Sequence, residues 1–544
     1  MSQPNQKNQT FSKFAFFGAL ICLLFFILYW SWILIFHLSE RALNRADNLV
    51  YAQNAAQSAQ FLLSGFWIQW MGSFMQDNAA KPITNALISL AFFLFKGGLS
   101  TYYLGMSCLI ILFFLISTMV LKRHFGATVA LFYSVFLLSS NLILEYSLDG
   151  GHNWVGQFFL WIAFLFVPFT GGWKWFRTFF IGFFISMSLM ASIHLLPFTL
   201  WFLICSIFYQ WKSSDGKNSV STRTFHRPLI FLFLGLLTLP SILVALTHSI
   251  AQKSYLEILI YQINNSSSSA KSFYSDPYYF FNFLTKGESY TFLLVCFIGF
   301  LFGSISILRR IKEHKVKFLE VMFVTTFLFF LLFMEFSGAL KLGRIYLPAL
   351  PFFFAASAIG MSELIHKISS LKLKICIVSL LLGSTTIFGF IRQKKTKDAF
   401  FAGKHLMPFL IQNRISPQDL IVVGVHYPYS YLGGEEKFVP YLRSGLKREI
   451  KTGEELVFLS YFSTWLWQDF LEEENKLGIS RPEDVVPVKK IFNSREPYQE
   501  VGGVENIDFQ IFSNEAIYDL VMKKRNFNLT KNRLYKAKDI LKYL

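Results

Sequence analysis

The sequence predicts a polytopic α-helical membrane protein of about eleven spans plus amphipathic interfacial helices, followed by a small C-terminal extracytoplasmic α/β domain. Three observations predict this. Hydrophobic residues make up 53% of the 544-residue chain and aromatic residues 18%, whereas charged residues reach only 15%, well below the roughly 25% of soluble domains. Apolar runs near the roughly 20 residues needed to cross a hydrocarbon core recur as far as residue 391, and the mean hydropathy is +0.43. From about Asp398 the composition becomes that of a soluble chain. The expected division is a transmembrane part, 1–391, and a soluble part, 392–544.

Residues 1–13 are polar, with Lys7 and Lys13, and are expected on the cytoplasmic side. The first apolar run, about 14–37, is longer than a signal-peptide core and has no small-residue cleavage site, so it reads as a retained anchor. It leads to a polar stretch, Ser39 to Pro82, with an isolated acid at Asp47 and an aromatic amphipathic run from Phe61 to Trp70. Trp and Phe rings settle at the headgroup boundary, so this stretch is built to lie on a membrane surface. An acid tethered there is well placed to act on the head of a lipid-borne substrate. Ile83 to Phe95 is too short to cross and reads as a surface or re-entrant helix.

Leaving that segment out makes the remaining charges alternate. Spans at about 101–121, 126–144, 154–170, 178–193, 195–211 and 228–249 are followed by one ending before Arg309, then by 318–336, 345–364 and 373–391. Lys122, Arg123, Lys174, Arg177, Lys212, Arg223, Arg310, Lys317, Lys367 and Lys372 then fall inside, as the positive-inside rule requires. Arg392, Lys394, Lys395 and Lys397 run against it, which a long translocated domain tolerates. In the soluble part, Leu420 to Val425 reads as a buried strand and Phe462 to Phe470 as a helix.

The net charge of +18 would suggest nucleic acid in a soluble protein, but here it sits largely in short loops between spans, and no nucleic-acid partner is expected. The five cysteines, Cys22, Cys108, Cys205, Cys296 and Cys376, lie inside apolar runs without CxxC spacing. Neither a disulfide framework nor a cysteine metal site is expected.

On this topology the unusual polar residues collect on the external side: Asp47, Asp77, Lys81, Glu145, Asp149, His152, Lys271, Asp276, Lys341 and Arg344. Acids at membrane depth are costly and tend to mark function. Asp149 ends one span just before Gly150-Gly151-His152-Asn153-Trp154 opens the next, where Asn153 could equally serve as a helix cap.

Four segments carry a resemblance. Lys81-Pro82 with the following Phe93-Leu94-Phe95-Lys96-Gly97, then Leu121-Lys122-Arg123-His124-Phe125-Gly126, Tyr146-Ser147-Leu148-Asp149, and Ser337 through Lys341, Arg344, Tyr346, Pro348 to Pro351 come in order. Together they resemble the polytopic GT-C glycosyltransferases, which include protein O-mannosyltransferases and lipid A aminoarabinose transferases. The resemblance spans about residues 14–391 and implies transfer of a sugar from a polyprenyl-phosphate carrier on the external face. By matched position it implies Asp47 as general base on an acceptor hydroxyl and Asp149 as a second catalytic acid. Arg344 and Lys341, with Lys81 and Lys271 behind them, are implied to bind the lipid phosphate, and Tyr346 and His152 to contact substrate.

A divalent metal is left open, with Asp47, Asp149 and His152 as the oxygen and nitrogen donors. The implied acceptor is an envelope glycan, lipid or protein, and the implied location is a bacterial cytoplasmic membrane. The chain departs from the family at Ala80, in its single acid at Asp47, and in a 251–288 segment without a His/Arg cluster. Two other readings stay open: a non-catalytic lipid-linked-glycan transporter or scaffold, and a glycan polymerase or ligase of another fold. A transporter would more often show repeated halves, and none is visible.

Overall fold

The computed structural model describes residues 6–40, 55–56, 58–73, 81–95, 101–146, 151–168, 174–215, 223–250, 279–313, 317–336 and 346–381, the isolated positions 257, 260 and 383, and four strands beyond residue 419. The chain divides into two units, a helical one and one that contains the strands.

The first helix, α1 (Gln6–Glu40), shows how the helical unit meets its surroundings. Phe11, Ala15, Ala19, Cys22 and Phe26 recur at helical spacing and are buried, while Phe17, Leu20, Ile21, Leu24 and Leu28 stay exposed. A helix with one apolar face packed and another apolar face bare is suited to lipid rather than water. The aromatic run then folds as a helical piece, a turn at Ser64 and Gly65, and the short α2 (Trp67–Ser73). Leu63, Phe66, Trp67 and Ile68 are exposed together, as an interfacial segment requires. Trp70 Nε1 donates to Ser89 Oγ at 2.9 Å and so fastens α2 to α3 (Pro82–Phe95). The α3 helix has the expected length but is not a bare surface helix, because Thr84, Asn85, Ile88, Ser89 and Phe92 are buried.

The longer helices run to and fro between two polar ends. Helix α4 (Thr101–Phe125) finishes at Lys122, Arg123 and His124. Gly126 turns the chain at φ 95°, a conformation that costs other residues, into α5 (Ala127–Ser139). The sequence predicts one span over 126–144, but the structure breaks it at Ser140 and restarts it as α6 (Asn141–Tyr146). Helix α7 (Gly151–Phe166) returns, and Arg123 Nη1 reaches the Leu165 carbonyl at 2.8 Å. Helices α8 (Trp175–Ala191) and α9 (Leu196–Asp215) are separated only by Ser192 and a 3-10 turn at Ile193–Leu195. Then come α10 (Arg223–Ile250), α11 (Tyr279–Gly287), α12 (Tyr290–Lys312), α13 (Phe318–Phe336) and, after a 3-10 turn at Leu347–Ala349, α14 (Leu350–Lys367).

Two helix crossings rest on glycine. A Cβ on Gly182 of α8 would lie 2.1 Å from the Leu232 carbonyl oxygen of α10, and one on Gly360 of α14 would lie 1.9 Å from the Gly299 oxygen of α12. Small residues let helix backbones approach where lipid supplies no hydrophobic drive. Helix α14 is buried on all sides from Leu350 to Gly360. Around it stacks an aromatic core in which Trp161 meets Phe323 at 5.4 Å and Phe352 at 6.0 Å.

One polar end is basic and salt-bridged. Arg310 pairs with Glu320 and with Glu363, and Lys317 Nζ donates to the His124 carbonyl at 2.7 Å. Four helices, Thr10–Tyr29 within α1, α4, α12 and Leu347–Lys367, are long and apolar enough to cross a membrane among the described residues, and six shorter apolar helices accompany them.

The strands, described by themselves, form a sheet in the order β2-β1-β3-β4 from β1 (Leu420–Val423), β2 (Lys437–Val439), β3 (Leu456–Ser463) and β4 (Asn528–Lys536). Strand β1 is parallel to β2 and β3, and β4 is antiparallel to β3. The strand expected at Leu420 is present. Of the helix expected over Phe462 to Phe470, Phe462 and Ser463 instead end β3, with Ser463 paired to Asn528 of β4, and the rest lies outside the described residues. Pairing of the end of β3 with β4, not the local propensity, decides those two residues.

Candidate functional site

The second polar end holds the described part of the candidate site. Lys81 directly precedes α3, and its charge acts on His152 and His194. Thr84 Oγ1, one turn on, donates to the Ala191 carbonyl at 3.0 Å and pins α3 to the last turn of α8. Ser192 is extended at φ −156°, so α8 ends and the chain reverses through the Ile193–Leu195 turn. Gly156 in α7 lets that reversal come close, since a Cβ there would meet Leu195 Cδ1 at 2.3 Å and the Ser188 carbonyl at 3.1 Å.

These contacts bring the first turn of α7 against the α8–α9 break. Asn153 Oδ1 accepts from Ser192 Oγ at 2.6 Å and from His194 Nδ1 at 3.1 Å. His152 Nε2 lies 3.4 Å from His194 Nδ1, with ring centroids 5.3 Å apart. His152 and Asn153 are buried and His194 is half-buried. Asn153 is therefore no helix cap; α7 already begins at Gly151, and its amide is spent on holding the break.

Both imidazoles lie outside the apolar runs assigned to spans. Burial first, then the Lys81 charge, pushes the His194 pKa down to about 3. The same two causes, with His194 as a third, hold His152 well below the usual histidine value. Both rings are thus neutral near pH 7 beside a cation.

A second fastening lies at the same end. The Glu288 carboxylate, between α11 and α12, accepts from Ser140 Oγ, from the Asn141 amide at 2.9 Å and from the Leu142 amide at 3.0 Å. It thereby caps α6 together with Ser140 Oγ, which accepts from the Ile143 amide at 3.1 Å. Gln157 Nε2 donates to the Pro348 carbonyl at 2.8 Å, which ties α7 to the turn following Tyr346. Tyr346 is buried, with its ring 5.3 Å from Phe280 and 5.9 Å from Phe330.

Of the residues singled out in the sequence, Lys81, His152 and Tyr346 are described, and Lys81 and His152 are brought together. Asp47, Asp149, Lys271, Lys341 and Arg344 lie outside the described residues. Of the suggested metal donors only His152 is described. It sits in a cationic setting, and no group of three or more His, Cys, Asp or Glu is gathered among the described residues. Sequence reasoning missed His194, Ser192 and Glu288. A signal for His194 existed, because it is the one position between the runs 178–193 and 195–211.

The fold and this end together define a many-helix integral membrane protein with a polar cluster built where helices start and break. No family model matches the sequence, and no curated protein does. The fold matches solved structures. ArnT from Cupriavidus metallidurans bound to undecaprenyl phosphate is 13% identical with a TM-score of 0.51, over 80% of this chain and 92% of that one. The same protein in the apo state is 10% identical with a TM-score of 0.52, over 95% and 98%. At these identities the likeness is one of fold, and at that level it agrees with the resemblance drawn from the sequence motifs.

Proposed function

We propose that this chain is a membrane glycosyltransferase that moves a sugar from a polyprenyl-phosphate carrier to an envelope glycan, lipid or protein by inverting displacement. The observation that carries the reading is Lys81 set beside two neutral, packed imidazoles at one end of a bundle whose fold matches a protein solved with undecaprenyl phosphate. The phosphate end of such a carrier develops negative charge as the glycosidic bond breaks. A fixed cation at a helix N-terminus stabilises that charge most where water is excluded. Arg344, Lys341 and Lys271 are assigned to the same leaving group, and Tyr346 to the walls of the carrier site.

Asp47 is assigned as the base that takes the acceptor hydroxyl proton, a role worth ~10²–10⁴-fold in rate, with Asp149 as its partner in positioning the acceptor. One direct displacement without a covalent sugar intermediate inverts the anomeric centre. The basic end with Arg309, Arg310 and Lys317 is assigned to the cytoplasm and the Lys81 end to the outer face of a bacterial cytoplasmic membrane, with residues 392–544 on that face.

The test is purified protein in lipid, titrated with undecaprenyl phosphate and its glucose, mannose, galactose and arabinose derivatives, wild type beside Asp47→Asn. The expected result is one donor bound by both proteins and consumed by the wild type alone. A donor bound by both and consumed by neither makes the chain a carrier or scaffold. Equal turnover by both removes Asp47 from the chemistry.

A further inference from the structure

One polar atom at the Lys81 end has no role in the reading above, the Nε2 of His194. Asn153 Oδ1 can only accept, and it takes both Ser192 Oγ at 2.6 Å and His194 Nδ1 at 3.1 Å. The His194 proton therefore sits on Nδ1, and in the neutral ring Nε2 carries a lone pair. His194 is half-buried, and its Nε2 takes no hydrogen bond among the described residues. Asn153 and His152 both contact the Nδ1 edge of the ring, on a turn held against α7 by Ser192 and the close approach at Gly156, which leaves Nε2 on the opposite edge.

An acceptor lone pair held beside a cation suits one kind of ligand group. A phosphate oxygen is itself an acceptor and gains nothing from it, while Lys81 already supplies the positive charge. A hydroxyl can donate to it. In a polyprenyl-phosphate sugar, hydroxyls stand one glycosidic bond away from the phosphate, which matches the closeness of His194 to the Lys81 charge.

We propose that His194 Nε2 accepts a hydrogen bond from a hydroxyl of the donor sugar, so that the break between α8 and α9 reads the sugar while Lys81 holds the phosphate. This rests on the transferase reading. Within it, the role of 3-10 residues between two helices becomes recognition, in keeping with irregular backbone being tolerated in membrane proteins where it lines a site.

The experiment compares binding of plain undecaprenyl phosphate with that of its glucose, mannose, galactose and arabinose derivatives by wild type, His194→Ala and His194→Gln, each checked for an unchanged thermal midpoint. Losing one hydrogen bond weakens binding about three- to tenfold. His194→Ala is expected to lose that factor for the sugar-bearing carrier and nothing for plain undecaprenyl phosphate. His194→Gln, whose amide oxygen lies near the Nε2 position, is expected to recover most of it. An equal loss for both ligands, or no loss for either, overturns the assignment while leaving the transferase reading in place. Failure of the wild type to bind any of the five overturns both.

Discussion

His152 and His194 are where single residues matter most. Their pKa values lie below that of a free imidazole, by burial first and the Lys81 charge second. The unfolded chain therefore binds protons that the folded chain refuses, between about pH 6.5 and the folded value of about 3 for His194. Stability from this pair is fully present above about pH 6.5 and is lost as the pH falls. The thermal midpoint in detergent is expected to drop between pH 7.5 and 5, and His194→Gln to lessen that drop. An identical drop in the variant would refute the account. Lys81 and His152 were legible in the sequence because a charged or titratable residue between apolar runs stands out by itself. His194 was harder to see, since its partners come from α7 and α3, and nothing local distinguishes it from a histidine turned to lipid headgroups.

At the scale of elements, two features carry more weight than their size suggests. Glu288 caps α6 from another part of the chain, with three hydrogen bonds to residues 140–142. Glu288→Ala leaves a hydroxyl and two amides without that acceptor, and a cost of about 2–3 kcal/mol is expected as a lowered unfolding midpoint. Glu288→Gln should recover part of it, because an amide oxygen still accepts. The crossing of α12 and α14 is stricter. A side chain at Gly360 meets the Gly299 carbonyl and not a movable side chain, so Gly360→Ala is expected to cost about 3 kcal/mol or more. Size-exclusion profiles after a heating series would read both. A Gly360→Ala protein as stable as wild type would mean that the helices can slide apart.

For the whole molecule, the measurable property is sidedness. The proposed orientation puts the salt-bridged basic end, where Arg310 pairs with Glu320 and Glu363, in the cytoplasm. In a background without the exposed Cys108 and Cys376, a cysteine at position 149 is expected to label from outside intact cells and one at position 217 only after lysis. Labelling of position 217 from outside would reverse the proposed orientation, and with it the face on which transfer occurs.

The sequence by itself determined the membrane class, the apolar runs that became helices and the shortness of α3, and it pointed to the fold seen in ArnT. Hydropathy and charge are summed locally along a chain, so they survive without knowledge of neighbours. Only the tertiary structure decided that a predicted span breaks at Ser140, that Phe462 and Ser463 belong to a strand, and that His194 meets His152 beside Lys81. Each of these depends on a partner far away in the chain: Glu288 for Ser140, Asn528 for Ser463, Asn153 for His194. The free energy of such a pairing belongs to both members at once, and neither local stretch contains it.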